Sequence, residues 1–197
     1  MKTVIISNFR VAGDFIKNAL SDLQPHTTAN STWYKGKFYT KELYLVELHN
    51  NQDCLGEVLD ELISEGRINN VISIGLGSPI AGNMRTGDIL ANDFPRGSNQ
   101  HLLDLFLNQQ DDEEEPLRIF AGNILAKNAA DEEVKGLSCF DADCEGLFSL
   151  LKNKGLSTLA LRVIIPEGDE VNLDSEIRVN VFQKLLLLLK KAVERTS

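Results

Sequence analysis

The 197-residue chain has 43% hydrophobic residues, a formal net charge of −9 at pH 7 and a pI near 4.9. This acidity argues against nucleic acid or an anionic membrane surface as a partner, because both attract basic proteins. The chain contains no run of about 18 apolar residues, so we expect no transmembrane helix. Length and composition together predict a single domain over residues 1–197 with a sizeable hydrophobic core.

The three cysteines, Cys54, Cys139 and Cys144, are too few for a disulfide framework. They suit a reducing compartment, where a buried thiol packs as a small apolar residue. The first residues lack the long apolar stretch and the small-residue cleavage site of a secretory signal. We therefore expect a cytoplasmic protein. We also expect no metal site, because no cysteine pair has ligand spacing with a histidine nearby.

Short apolar strands and amphipathic helices alternate along the first half of the chain. The predicted elements are, in order, a strand at Thr3–Ile6, a helix after Arg10 with Ile16, Ala19, Leu20 and Leu23 on one face, a polar break at Pro25–Ser31, and two or three antiparallel strands within Thr32–His49. They are followed by a helix at Asp53–Glu65, a strand at Val71–Ile74, a glycine-rich loop at Gly75–Gly82, a turn at Thr86–Asp88 and a strand at Ile89–Leu90.

The second half continues this alternation. Its predicted elements are a helix at His101–Leu107, an acidic surface loop at Gln109–Glu115, a strand at Leu117–Ala121, a strand that ends near Cys139, a helix after Asp141, a buried strand at Thr158–Ile165, an exposed linker at Glu167–Leu173 and a C-terminal helix that ends near Arg195. Strands that alternate with helices predict a three-layer αβα fold with a mixed, twisted central sheet and helices on both faces.

The segment from Cys139 to Pro166 carries the clearest local signals. Asp141 is predicted to cap the following helix, whose apolar stripe consists of Cys144, Leu147, Phe148 and Leu151. Arg162 is the one charge in the buried strand that comes next. Because buried arginines are rarely unpaired, we expect a carboxylate or carbonyl partner near the carboxyl end of this strand. Ligands of open α/β sheets bind at such strand ends.

The C-terminal helix has an unusually wide apolar stripe, formed by Val181, Phe182, Leu185, Leu186, Leu188, Leu189, Ala192 and Val193. A stripe of this width indicates either deep packing within the chain or a contact between subunits.

Two segments could carry chemistry. The loop Gly75–Gly82 could form an anion-binding nest of backbone amides, although a plain loop explains the glycines equally well. Asp141, Asp143 and Glu145 cluster at a helix start. Capping and compensation of the helix dipole account for Asp141, whereas Asp143 and Glu145 exceed what capping needs. A carboxylate there is a good acceptor for two vicinal hydroxyls.

Several motifs occur in this chain in the order and at the distances found in one enzyme family. They are a first strand of the type KIGIIGAM at Lys2–Phe9, a hairpin at Ser31–His49, a strand and loop of the type NTGSAGG at Ser73–Pro79 with a later GD at Gly87-Asp88, a MEAAA-like helix at Ala142–Leu147 and a RAISD-like strand end at Arg162–Pro166. Two intervals also agree, 87 − 75 = 12 and 162 − 143 = 19. The chain thus resembles the purine nucleoside phosphorylase superfamily, and within it the methylthioadenosine/S-adenosylhomocysteine nucleosidases.

The resemblance implies cleavage of the N-glycosidic bond of a purine nucleoside. It implies no cofactor, with phosphate as a co-substrate if the protein is a phosphorylase, and a homodimer. In this family the glycine loop cradles phosphate or the attacking water, and a glutamate of the MEAAA helix holds the ribose hydroxyls. Nucleosidases activate water with a glutamate after the first strand, and an aspartate at the RAISD end protonates the purine.

The chain departs from this pattern at the catalytic positions. The water-activating glutamate falls on Ala12, and the purine-protonating aspartate falls on Pro166. Glu167 could replace the acid, and Arg10 could serve an anion. The predicted site therefore has Glu167 and Asp143 as catalytic residues and contacts the substrate through Gly75, Gly77, Ser78, Ala142, Asp143, Arg162 and Arg10.

These departures leave two functional interpretations open. The first is an enzyme that cleaves a nucleoside with altered catalytic groups. The second is a non-catalytic relative that binds a nucleoside or nucleobase or acts as a structural partner.

Overall fold

The computed structural model of the protein describes residues 2–27, 32–48, 54–66, 68–81, 83–95, 97–108, 117–126, 136–165 and 175–195. The strands in this part of the chain are β1 Lys2–Ser7, β2 Ser21–Thr27, β3 Thr32–Phe38, β4 Lys41–Glu47, β5 Ile68–Ala81, β6 Ile89–Phe94, β7 Ile119–Ala121, β8 Asn123–Leu125, β9 Ser138–Phe140 and β10 Thr158–Ile164. The helices are α1 Arg10–Ala19, α2 Leu55–Glu65, α3 Gln100–Leu107, α4 Cys144–Asn153 and α5 Ser175–Arg195.

The main sheet has the strand order β2-β3-β4-β1-β5-β10-β6-β7. Its centre is parallel, since β1 pairs in parallel with both β4 and β5, and β5 pairs in parallel with β10. Both flanks contain antiparallel pairs, formed by β2 with β3, β3 with β4, and β10 with β6. The end of β5 also pairs with β9, which brings in β8. The predicted mixed central sheet is therefore confirmed.

Alternate residues of the central strands contribute their side chains to two apolar layers on opposite faces of the sheet. On one face Ile5, Ile72 and Leu161 pack with the buried sides of α1, α3 and α5. On the other face Val4 and Val71 pack with α2 and α4. The helices thus cover both faces, as the alternation of strands and helices predicts.

The prediction for the segment after α1 was wrong. The helix ends at Ala19, and residues 21–27, which include the predicted helical Leu23 and the start of the predicted polar break, form the strand β2. Exposed positions dominate this edge strand, and Leu23 itself is 38% exposed. Its pairing with β3 decides the conformation, and the local apolar pattern does not reveal that pairing.

The predicted glycine-rich loop is also a strand. β5 continues through Ala81, because it pairs first with β10, up to Gly77, and then with β9, from Ser78 onward. Glycine and proline ordinarily interrupt or end strands, but pairing with β10 and then with β9 overrides that local preference here. Gly82 lies outside the described residues.

The apolar stripe of α5 is largely buried within the chain. Phe182, Leu185, Leu189, Ala192 and Val193 are at most 3% exposed and belong to the same cluster as α1 and α3. Deep packing, the first of the two explanations, therefore accounts for most of the stripe. None of the helices in the described residues is long and apolar enough to cross a membrane.

Candidate functional site

The carboxyl ends of β1, β5 and β10 meet at one edge of the sheet, because the three strands are parallel neighbours. Asn8 directly follows β1, and its backbone N–H donates to the carbonyl oxygen of Ile74 at 3.2 Å. Gly75 is opposite Arg162 across the β5–β10 pair. Asn8, Gly75 and Arg162 thus form one row across three strands at this edge.

Arg162 is fully buried at the end of this row. Its Nε donates to Asp141 Oδ2 at 2.5 Å. Its Nη1 donates to the backbone oxygen and the hydroxyl of Ser73, both at 3.1 Å, and to the backbone oxygen of Leu161 at 3.1 Å. The guanidinium also lies 6.0 Å from the ring centre of Phe148. The expected carboxylate and carbonyl partners of the buried arginine are therefore present.

The carboxylate of Asp141 has two roles at the start of α4. The assigned helix begins at Cys144, with Asp143 at the N-cap position and no side-chain cap bond from Asp143. Asp141 is 5% exposed. Its Oδ1 accepts from the backbone N–H of Asp143 at 3.0 Å, which is the predicted bond to a free amide at the helix start. Its Oδ2 accepts from Arg162, so the same carboxylate also supplies the counter-charge of the buried guanidinium.

Asp143 and Ala142 lie in the turn that Asp141 holds. Both residues are exposed, and the backbone of Asp143 is tied through Asp141 to Arg162. The structure thus brings these predicted ligand residues to the same edge as Arg162. The sequence did not indicate that Asp141 links Asp143 to Arg162. The lone charge in the strand β10 indicated a carboxylate partner but could not say which one.

The glycines of β5 make room for side chains of the chain itself. A Cβ atom at Gly75 would overlap the amide of Asn8, and one at Gly77 would lie 2.7 Å from Cys139 Sγ. Both glycines are buried, and Ser78 is half-buried opposite Phe140. Successive amides of an extended strand point alternately to its two neighbours, so those of residues 75–77 do not converge to form an anion nest.

Four further positions matter to the family resemblance, and the structure describes two of them. Arg10 is the first residue of α1, with a side chain that is 82% exposed and 3.8 Å from Asp14. Ala12, where the family has its water-activating glutamate, is 1% exposed and packs in the apolar layer with α5. Pro166 and Glu167 lie outside the described residues.

Two polar atoms of the Asn8–Gly75–Arg162 row are buried without a hydrogen-bond partner among the described residues. They are Asn8 Oδ1 and Arg162 Nη2. An unpartnered buried polar atom is costly in a folded protein, and each such atom calls for an explanation. The sequence singles out Arg162 as a lone buried charge but does not single out Asn8, because the segment of Asn8 has only the pattern of a strand end.

All three cysteines are buried and free. Burial raises the pKa of Cys139 and of Cys144 to about 12, so both thiols are protonated at neutral pH. A protonated buried thiol is neither a nucleophile nor a metal ligand. Within the described ranges, no group of three or more His, Cys, Asp or Glu residues could hold a metal ion.

No protein-family model and no curated protein matches the chain. Solved structures do match over nearly its whole length. The 5′-methylthioadenosine/S-adenosylhomocysteine nucleosidase of Campylobacter jejuni superimposes with a TM-score of 0.73 at 16% identity, covering 99% of each chain. A futalosine hydrolase mutant of Helicobacter pylori gives 0.71 at 13% identity, covering 98% of this chain and 99% of that one. The nucleosidase of Colwellia psychrerythraea in complex with adenine gives 0.70 at 10% identity, covering 98% and 95%.

The chain has the same fold as these nucleosidases and futalosine hydrolase. The resemblance drawn from the sequence motifs is thereby confirmed at the level of the fold. Identities between 10% and 16% show the fold alone. Function has to be argued from the residues of the site.

Proposed function

We propose that the protein binds a purine nucleoside at the carboxyl edge of β1, β5 and β10 and hydrolyses its N-glycosidic bond. The observation that carries this proposal is the buried Asp141–Arg162 pair, in which Nη2 of Arg162 has no partner among the described residues. A fixed donor at the ligand-binding edge of an α/β sheet is suited to hold an oxygen of a ligand. The nucleosidases with this fold, one of them in complex with adenine, support a nucleoside as that ligand.

In the proposed reaction, the carboxylate of Asp143 accepts hydrogen bonds from two vicinal ribose hydroxyls. A water oxygen forms the new bond to C1′ of the ribose. The C1′–N bond breaks, and its electron pair goes to the purine, which takes a proton from the carboxylic acid of Glu167. The water loses one proton to solvent and becomes the new hydroxyl of the ribose. Asp141 does not touch the substrate in this scheme; it positions Arg162 and the turn that carries Asp143.

Water suits this site better than phosphate as the nucleophile. The carboxylate of Asp141 already balances the charge of Arg162, so the pair offers no net positive charge to an anion. Arg10, the other candidate for an anion, is exposed and lies beside Asp14. Phosphate is the co-substrate of the alternative reaction, phosphorolysis, so nucleoside cleavage has to be measured with and without it.

A second candidate function is binding without catalysis. The position of Ala12 favours it, because a buried alanine in an apolar layer supplies no base to activate water. A positioned acid or base contributes about 10²- to 10⁴-fold to a rate. Loss of the base alone would therefore slow cleavage by that factor and leave nucleoside binding unaffected.

Incubation with a panel of purine nucleosides, with and without phosphate, tests the proposal, with the free base quantified by chromatography. We expect base release that does not depend on phosphate. Calorimetric binding of adenosine without base release would instead favour the non-catalytic function. Neither release nor binding of any nucleoside would refute both. If release occurs, Glu167→Gln should slow it, and an unchanged rate would exclude Glu167 as the acid.

We also propose a single domain and a homodimer in the cytoplasm. Most of the α5 stripe is buried within the chain, but Leu187 on the same helix is 48% exposed and could contribute to a subunit contact. Light scattering at micromolar concentration should give twice the 21.9 kDa mass of one chain. A mass of one chain would refute the dimer.

A further inference from the structure

The side chain of Asn8 lies over Gly75, on the face of the sheet to which Arg162 points. A Cβ atom at Gly75 would fall onto the amide of Asn8, which locates that amide directly above the glycine. Gly75 is opposite Arg162 in the next strand, and neighbouring strands lie about 4.8 Å apart. The amide of Asn8 therefore extends from β1 toward the strand that carries Arg162.

The guanidinium of Arg162 uses only part of its donor capacity. Nε is bound by Asp141, and Nη1 is bound by two oxygens of Ser73 and by the carbonyl of Leu161. Nη2 has no partner among the residues that the structure describes, although Arg162 is fully buried. The row thus contains an unused donor on Arg162 and an unused acceptor, Oδ1, on Asn8.

An unused donor and an unused acceptor in the same row determine which chemical group can bind to both of them. The occupant accepts a hydrogen bond from Arg162 and donates one to Asn8, which a hydroxyl group or a water molecule does. A deprotonated phosphate oxygen has no proton to donate to Asn8 Oδ1. It would also meet a pair that Asp141 has already neutralised.

We propose that Asn8 and Arg162 form a subsite for one neutral O–H group at the carboxyl edge of the sheet. The group is either the 5′-hydroxyl of the bound nucleoside, the ribose hydroxyl whose proton Asp143 does not take, or an ordered water. In the first case the inference rests on the proposed function. Asn8 fixes its orientation by accepting its proton, and Arg162 fixes its position by donating to its oxygen. Asn8 is therefore a ligand-positioning residue.

Two substitutions test this subsite. Asn8→Leu keeps the branched shape of the side chain and removes the acceptor, and Asn8→Ala serves if the leucine variant fails to fold. Thr158→Val is the matched control, because Thr158 Oγ1 is also buried without a partner among the described residues but lies at the opposite end of β10. Calorimetry with adenosine, adenine and inorganic phosphate is combined with high-resolution crystal structures of the unliganded wild type and the Asn8 variant.

If the group is a ribose hydroxyl, Asn8→Leu should weaken adenosine binding by roughly threefold to tenfold, the effect of one hydrogen bond. Adenine binding should be unaffected, and Thr158→Val should bind both ligands as the wild type does. If the group is water, the wild-type crystal should contain an oxygen within hydrogen-bond distance of Asn8 Oδ1 and Arg162 Nη2, and the variant should lack it.

Unchanged adenosine affinity in the Asn8 variant together with no oxygen between the two residues in the wild-type crystal would overturn the proposal. Binding of inorganic phosphate to this pair would overturn it as well. If the wild type binds no nucleoside, the proposed function fails, and the unliganded crystal alone decides whether the subsite holds an ordered water.

Discussion

The carboxylate of Asp141 joins two parts of the candidate site by accepting from Arg162 Nε at 2.5 Å and from the backbone N–H of Asp143 at 3.0 Å. Both residues of the ion pair are buried: Arg162 is fully buried, and Asp141 is 5% exposed. Removing one member of such a pair leaves the other charge buried without compensation, which is far more costly than losing a surface ion pair.

Asp141→Asn should therefore destabilise the protein by about 3–5 kcal/mol, measured by urea unfolding. Asp60→Asn is the matched control, because Asp60 forms an equally short ion pair with Lys154 but its side chain is 70% exposed. This control should lose no more than about 1 kcal/mol. Equal losses in the two variants would contradict a buried role for Asp141.

Replacing both members of the buried pair should recover stability without recovering function. Well-packed apolar residues of similar volume often match or exceed a buried ion pair in stability, so Asp141→Leu combined with Arg162→Met should be more stable than Asp141→Leu alone. The same double variant should lose nucleoside binding, because the donor of the site is gone. A stable double variant that binds adenosine as the wild type does would exclude the pair from the site.

Gly75→Ala should destabilise the protein by about 1–3 kcal/mol, because the new Cβ meets the amide of Asn8 in a packed row. Combining it with Asn8→Ala should restore much of that loss, since the side chain that occupies the space is removed. Gly77→Ala is the comparison: its Cβ meets Cys139 and Arg162 instead, so Asn8→Ala should not rescue it. Denaturant midpoints of the five variants decide this, and additive losses for Gly75→Ala and Asn8→Ala would contradict the contact.

Alkaline pH should destabilise the protein partly through Cys139. Burial raises the pKa of this thiol from 9.0 to about 12, so the unfolded chain loses the proton at lower pH than the folded protein does. The stability that the protonated thiol provides is complete below pH 9.0 and is lost as the pH rises toward about 12, by at most about 1.4 kcal/mol per pH unit. Cys139→Ala should show a shallower decrease of the urea midpoint over this range. Identical slopes in the variant and the wild type would contradict the raised pKa.

Asp143→Ala should weaken adenosine binding by about tenfold or more, the effect of losing hydrogen bonds to a charged acceptor. Glu145→Ala is the control, since Glu145 is another exposed carboxylate at the start of α4. We expect it to bind adenosine as the wild type does. If the two variants bind adenosine equally, Asp143 is not the ribose contact.

Local periodicity was sufficient wherever burial follows a regular pattern along the chain. The stripe of Cys144, Leu147, Phe148 and Leu151 predicted α4, and all four side chains are buried against the sheet. The apolar run from Thr158 predicted the central strand β10 for the same reason. Burial of apolar side chains decides the conformation of these elements, and the spacing of apolar residues in the sequence indicates which side chains are buried.

The sequence did not predict β2 as a strand or β5 as a strand that extends through its glycines. Both depend on hydrogen bonds to other strands, β3 for the first and β9 and β10 for the second. The pairings of β5 join residues far apart in the chain, whereas that of β2 joins neighbouring segments. In neither case does the local pattern of apolar residues reveal the pairing.

By itself, the sequence determined the layers of the fold and the need of Arg162 for a partner, because hydrophobic spacing and the cost of a buried charge act wherever the chain folds. Only the tertiary structure decided that the partner is Asp141, that Asp143 lies in the turn it holds, and that Asn8 occupies the space above Gly75. Those relationships arise when β1, β5, β10 and the start of α4 meet at one edge of the sheet. Contacts between such distant segments are fixed by three-dimensional packing, which residue spacing alone does not specify.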